Sequence, residues 1–319
     1  MDPLILLFGL VVGILIGLTG VGGGSLMTPL LLLAGGYSPV VTIGTDLAYG
    51  AVTKTLGGWR HLRAGHVDVR LSWWLAAGSV PGALAGVATL NLLDDAYGAK
   101  FEPYLLGAVA AALMLAASAT LFRAVFRPEL ASRERASAGL RRPTSKAGTV
   151  VIGLVLGFIL GLTSVGSGAL VGLALILLYR LEPRRVVGTD VFHAAVLLWS
   201  AGLAHLASGN VNLGLMANIL AGSLPGVWIG AALLPHVPVA ALRHALGIIL
   251  SAAALGVLSK AGVSLPPVAL AGIPTALAVV SVLIHRRRAA VERDLAASAD
   301  DEARQTGRVR LSGDGDGQA

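Results

Sequence analysis

No cysteine occurs among the 319 residues. Disulfides, thiolate nucleophiles and cysteine-based metal sites are therefore excluded. Charge is scarce as well. Only 13% of residues are Asp, Glu, Lys or Arg, against about 25% in a soluble domain. A soluble all-helical core would need a polar outer face, and no segment between Leu4 and Ile284 supplies one. Enzyme signatures are missing too. There is no GxxxxGK[ST] for a P-loop and no HExxH or CxxC. Ser167, in Val165-Gly166-Ser167-Gly168, lacks the glycine two positions earlier that an intramembrane serine protease would show. The expectation is no catalytic residue, no resident metal, no cofactor and no enzymatic activity.

What is present is apolar. Hydrophobic residues make up 55% of the chain and the mean hydropathy is +0.79. Apolar segments fall near 4–34, 41–59, 71–92, 103–122, 148–179, 186–204, 213–234, 241–258 and 266–284. Stretches of this length and composition make a polytopic membrane protein, with the lipid bilayer as its surroundings. The 42 glycines fit that class, since small residues let membrane helices approach closely. The net charge of +7 does not point to nucleic acid, because the arginines sit in short loops beside apolar segments and read as topology signals. The N-terminus has no basic n-region and aligns with residues from about 148, so it is read as structural and uncleaved. Trp59, Trp73, Trp74, Trp199 and Trp228 mostly flank spans, as interfacial anchors do.

The chain also contains itself twice. Residues 17–26 read GLTGVGGGSL and residues 161–170 read GLTSVGSGAL. Gly44-Thr45-Asp46 returns as Gly188-Thr189-Asp190, an offset of 144, and Ser79-Val80-Pro81-Gly82 returns as Ser223-Leu224-Pro225-Gly226. Residues 13–86 match 157–230 without a gap at 28 of 74 positions. The expected organisation is a membrane repeat at 1–123, a basic cytoplasmic linker at 124–147, a second repeat at 148–258, a further span at 259–284 and a polar, disordered cytoplasmic tail at 285–319.

Charge orients these parts. Arg60, Arg63 and Arg70, the arginines and lysine of 123–147, Arg180, Arg184 and Arg185, and Arg286 to Arg288 form four basic regions. They share one side only if segments one and five, each about thirty residues long and interrupted by glycines, dip in and return. Each half then has an odd number of full spans, and the halves are inverted relative to each other. The expected fold is all-α: an integral membrane protein of two homologous, inverted repeats with broken or re-entrant glycine-rich helices. It lies in the cell (inner) membrane with its C-terminal tail in the cytoplasm.

The glycine clusters are the first candidate site. Gly17, Gly20, Gly22, Gly23 and Gly24 do not suit a continuous helix, since each costs roughly 1 kcal/mol relative to Ala. They suit a tight turn, with positive φ open to them, followed by a helix starting near Ser25 whose free N–H groups would attract an anion. Gly166, Ser167 and Gly168 repeat the device, and two opposed helix N-termini would make a central anion site. The alternative is close packing through small residues. Thr19, Thr163, Thr45 and Thr189 supply hydroxyls for the site or for helix caps. Asp46 and Asp190 follow Gly-Thr at the start of an apolar segment. They are coupling carboxylates for a proton or sodium ion, or helix caps. Asp190 has His193 one turn on and is the better coupling candidate; Asp46 reads more as a cap. Lys54 requires an anionic partner unless it snorkels to the basic end near Arg60. Its counterpart is Leu198, so any role it has is asymmetric.

GLTGVGGGSLMTP followed by GTDLAYG, repeated as GLTSVGSGAL and GTDVFH, resembles the sulfite exporter TauE/SafE family of permeases, also described as the 4-toluene sulfonate uptake permease family. The likeness covers roughly 4–284. It implies a secondary transporter, an exporter, of a small anion such as sulfite, a sulfonate or another sulfur-containing or organic anion, working by alternating access. Ser164 and Ser167 depart from the glycines of the first copy. Two alternatives stay open: a cation carrier or channel using Asp46 and Asp190, and a membrane scaffold or enzyme without transport.

Overall fold

The computed structural model describes residues 2–19, 23–136, 145–179, 181–233, 236–237 and 239–264, plus a few positions between 266 and 287; side chains at 124–136, 183, 239–241 and 243 are not described. Gly22, part of the expected span at 259–284 and nearly all of the tail at 285–319 lie outside the described residues. The described chain is helical, with no strand: α1 Pro3–Thr19, α2 Gly24–Leu33, α3 Pro39–Arg63, α4 Val69–Tyr97, α5 Glu102–Ala136, α6 Lys146–Thr163, α7 Leu170–Tyr179, α8 Pro183–Ala207, α9 Leu213–Leu233 and α10 Val239–Lys260. Of the expected linker, 124–136 continues α5 as helix, and 137–144 lies outside the described residues. Among the described residues, five helices are long and apolar enough to cross a membrane: α4, α5, α6, α8 and α9. The protein is an all-α, multi-pass membrane protein. All five tryptophans are exposed, in keeping with a lipid-facing or interfacial place.

Local chemistry sets the helix ends. Asp68 caps α4 by accepting from the Leu71 N–H at 3.0 Å, and Ser145 caps α6 through Gly148 N–H at 3.0 Å. α3 and α8 each start at a proline, Pro39 and Pro183, behind Ser38 and Glu182; proline is preset for the first helical position, where no N–H partner is needed. These starts lie seven residues before Asp46 and Asp190. Neither aspartate caps its own helix, contrary to the capping alternative.

The first and fifth apolar segments are each split in two, as the glycine clusters imply. Both second pieces, α2 and α7, have ten residues. Ten residues rise about 15 Å, half of a hydrocarbon core about 30 Å thick, so neither piece crosses alone. The two breaks are not built alike. In the second, Ser164 (φ 62°), Gly166 (φ 130°) and Gly168 (φ 89°) take left-handed or other positive-φ conformations. In the first, Gly23 has φ −59° and Gly24, the counterpart of Gly168, already belongs to α2, so neither of these two needs a positive φ. The size of Gly23 is what matters, since a Cβ would lie 3.0 Å from the Tyr49 ring.

Four pairings hold the bundle: α1 with α9, α4 with α6, α3 with α8, and α5 with α10. In the first two, backbone lies on backbone. Gly9, Gly13 and Gly17 of α1 face the carbonyls of Ile219, Ser223 and Val227 on α9. Gly153, Gly157 and Gly161 of α6 face those of Leu75, Ser79 and Ala83 on α4. Each residue of the second contact is offset by 144 from its equivalent in the first. Between α3 and α8 the same correspondence holds for polar contacts. Thr45 Oγ1 accepts from Asn212 N–H at 3.0 Å, and Thr189 Oγ1 accepts from Asp68 N–H at 2.9 Å.

Candidate functional site

The two helix breaks meet in the interior. A Cβ on Gly24, the first residue of α2, would stand 2.7 Å from the Ser164 carbonyl oxygen and 3.2 Å from Asp46 Oδ2. Asp46, 1% exposed, reaches from α3 into this junction. Its Oδ2 accepts from Thr28 Oγ1 of α2 at 2.6 Å and from Ser164 Oγ of the second break. Its Oδ1 has no hydrogen-bond partner among the described residues. Tyr49, one turn on, is close enough to interact electrostatically with it.

Asp190, 4% exposed, occupies the equivalent place before α7, and its surroundings differ. Oδ1 accepts from the Gly168 N–H at 3.3 Å. Two cations act on it: Lys54 from α3 and Arg123 from α5. Arg123 Nη1 also donates to the Gly168 carbonyl at 2.7 Å, so it ties α5 to the second break.

A helix N-terminus carries a partial positive charge and attracts anions. Here the anion near each half-helix start belongs to the chain itself, Asp46 beside α2 and Asp190 beside α7. A cavity of about 350 Å³ runs from Gly23, at the first break, past Lys54 to Arg60 and His61. Ile16, Val191, Leu224 and Trp228 supply apolar walls. Lys54 is 6% exposed, and its Nζ has no hydrogen-bond partner among the described residues. It does not snorkel; its ammonium is held inside, beside the cavity. In the other half Leu198 takes its place and packs against Gly50, 3.2 Å from where a Cβ there would be.

The remaining candidates fall into three groups. Thr19 and Thr163 donate to carbonyls one turn back, Leu15 and Ile159, at 2.6 Å each, and so belong to the ends of α1 and α6. Thr45 and Thr189 bind loops of the opposite half and hold α3 to α8. Ser25 and Ser167 are buried near the breaks, and Ser25 Oγ has no partner among the described residues. His193 Nε2 lies 2.8 Å from Ser79 Oγ on α4, so its hydrogen bond goes to α4 and not to Asp190. Three residues escaped the sequence reading: Thr28, Ser164 as a donor, and Arg123. Arg123 looked like one more loop charge because the contact that explains it is 45 residues away. Among the described residues no group of His, Asp and Glu could hold a metal ion.

A family model described as sulfite exporter TauE/SafE matches residues 5–257. Three proteins of Bacillus subtilis (strain 168) are similar over most of their length. "Probable membrane transporter protein YjnA" is 39% identical over 74% of this chain and 91% of its own. "Probable membrane transporter protein YdhB" is 25% identical over 76% and 94%. "Probable membrane transporter protein YunE" is 26% identical over 72% and 86%. No solved structure gives a significant match.

Proposed function

This chain belongs to the sulfite exporter TauE/SafE family and is a membrane transporter, and from that premise we propose that it is a secondary carrier of a small anion that binds at Lys54. The observation that carries this reading is the ammonium itself. A buried cation without a hydrogen-bond partner is costly unless an anion faces it. Asp190 offsets part of that charge from one side, and the cavity lies open on the other. Arg60 and His61 line its basic end.

The cavity also speaks to the class of anion. Small-molecule sites hold about 300–1,000 Å³, so 350 Å³ exceeds what bare sulfite needs. Its apolar walls fit an organic body, which favours a sulfonate over an inorganic ion. Export follows from the family's description, with Arg60 and Arg63 on the cytoplasmic side by the positive-inside rule. Alternating access follows from the unequal halves: an open cavity at Lys54, and packed leucine at the equivalent position. The cation-carrier alternative has less support, since Asp190 already faces two cations.

Purified protein should be stabilised against heat by the right anion. A ligand at about 100 times its Kd adds about 2.7 kcal/mol. The panel is toluenesulfonate, methanesulfonate, thiosulfate, sulfite, sulfate and acetate. A sulfonate should give the largest shift. Stabilisation by sodium alone, with none by any anion, would favour the cation carrier.

Orientation has its own test. On this reading the protein lies in the cell membrane with its C-terminus in the cytoplasm, which the distribution of arginines supports. A C-terminal fluorescent fusion should glow, and a C-terminal phosphatase fusion active only outside the membrane should stay silent. The opposite pair of results would rule out inverted halves with re-entrant breaks.

A further inference from the structure

The two aspartates are repeat equivalents in unequal surroundings, and the inequality comes from two substitutions. In the first half, Thr28 stands on α2 and donates to Asp46. Its counterpart on α7 is Gly172. A Cβ there would fall 2.7 Å from Arg123 Nη1, so the guanidinium fills the space that a threonine side chain would take. Near Asp190 the crossing helix α3 brings Lys54; the counterpart of Lys54 is Leu198. Asp190 therefore has two cations and a backbone N–H, whereas Asp46 has two hydroxyls.

We propose that Asp46 is the carboxylate that carries the coupling proton, and that Asp190 stays charged as the counter-ion of Lys54 and Arg123. A buried carboxylate with no cation is held far better as the neutral acid. The bare Oδ1 is where a proton would bind, while Oδ2 keeps its two hydroxyl partners. One free lone pair is enough for a proton, whereas a metal cation would need several oxygen ligands.

The groups around Asp46 leave it as the titrating site. On α3 itself the buried titratable groups are Tyr49 and Lys54; on α8 they are Asp190, His193 and His205, and α5 carries Glu102 and Arg123, both half-buried. α2, α9 and the second break bring no titratable side chain among the described residues. The charges of Lys54 and Arg123 act on Asp190. His193 is bonded to Ser79, and the His205 ring lies 3.4 Å from the Gly161 carbonyl.

Ser164 makes the proton matter to the whole carrier. It is a non-glycine residue with φ 62°, a left-handed conformation that is kept where the surroundings demand it. Here it holds a hydroxyl of the second break on the carboxylate that serves the first. Adding or removing a proton at Asp46 thus changes the contact between the two broken helices. This rests on the reading of the chain as a coupled anion carrier.

The test is infrared difference spectroscopy on the full-length protein in liposomes, between about pH 8 and about pH 5. A carboxylic-acid C=O band should arise on acidification, vanish in Asp46→Asn and survive in Asp190→Asn. Ser164→Gly keeps the left-handed backbone and deletes one hydroxyl, so it should move the midpoint of that band; Thr28→Val should do the same. These two variants decide the matter if Asp46→Asn fails to accumulate. In parallel, a toluenesulfonate gradient should drive proton movement in wild type, and Asp46→Asn should keep anion exchange but lose proton movement. A band that persists in Asp46→Asn, a band lost in Asp190→Asn, unmoved midpoints, or no band at all would each overturn the proposal. If toluenesulfonate does not move but the band still depends on Asp46, the proton site stands and the sulfonate reading falls.

Discussion

Lys54→Met should reduce anion flux in proteoliposomes by on the order of 100-fold, matching the loss of about 3 kcal/mol of buried charge complementarity. Methionine is close to lysine in length and has no charge, so the wall of the cavity keeps its shape. The folded protein should survive the change. Asp190 retains Arg123 and the Gly168 N–H, and removing an ammonium without a hydrogen-bond partner relieves a desolvation cost. Binding and stability therefore part company: thermal stabilisation by toluenesulfonate should disappear while the melting temperature without ligand changes little. If Lys54→Met transports normally, the buried ammonium serves only to neutralise Asp190, and the anion binds elsewhere.

That reading of Lys54 could not be had from the sequence, and the reason is geometric. Lys54 lies less than two turns from Arg60, so the sequence alone leaves snorkelling and an inward ammonium both open. Which way the side chain faces depends on α8, more than a hundred residues away. The same limit applied to the aspartates. GTD was legible as a repeated polar motif, and both carboxylates do lie buried beside helix breaks. Their helices, however, begin at Pro39 and Pro183, and the proline signal ahead of GTD outweighed the capping preference. The preference for Asp190 over Asp46 as coupling residue rested on His193 one turn away. In the structure His193 turns to Ser79, and Asp190 meets Arg123 instead. The glycine breaks were legible because glycine clusters act locally. The spacing of four at Gly9, Gly13 and Gly17, repeated at Gly153, Gly157 and Gly161, was in plain view as a helix-contact pattern but was taken only as glycine content.

Gly157→Ala should destabilise the protein severely although it adds one methyl group. The new Cβ would lie 2.6 Å from Ser79 Cα and 2.7 Å from its carbonyl carbon. Overpacking a core costs about 1–3 kcal/mol when side chains can shift, and more when they cannot. Here the neighbour is helix backbone, so α6 and α4 must move apart along their length. Gly13→Ala meets the same obstacle at Ser223, with its Cβ 2.8 Å from Ser223 Cα. It should weaken the α1–α9 contact similarly. Gly107 on α5 is the control, since a Cβ there meets nothing within 4 Å. Gly107→Ala should leave stability unchanged or raise it by up to about 1 kcal/mol, because alanine is the better helix former. Melting of the three purified variants in one detergent separates the cases. If Gly157→Ala and Gly13→Ala melt with wild type, the helices can separate without penalty, and these glycines are not what holds the bundle together. If Gly107→Ala falls with them, glycine content rather than backbone contact governs stability.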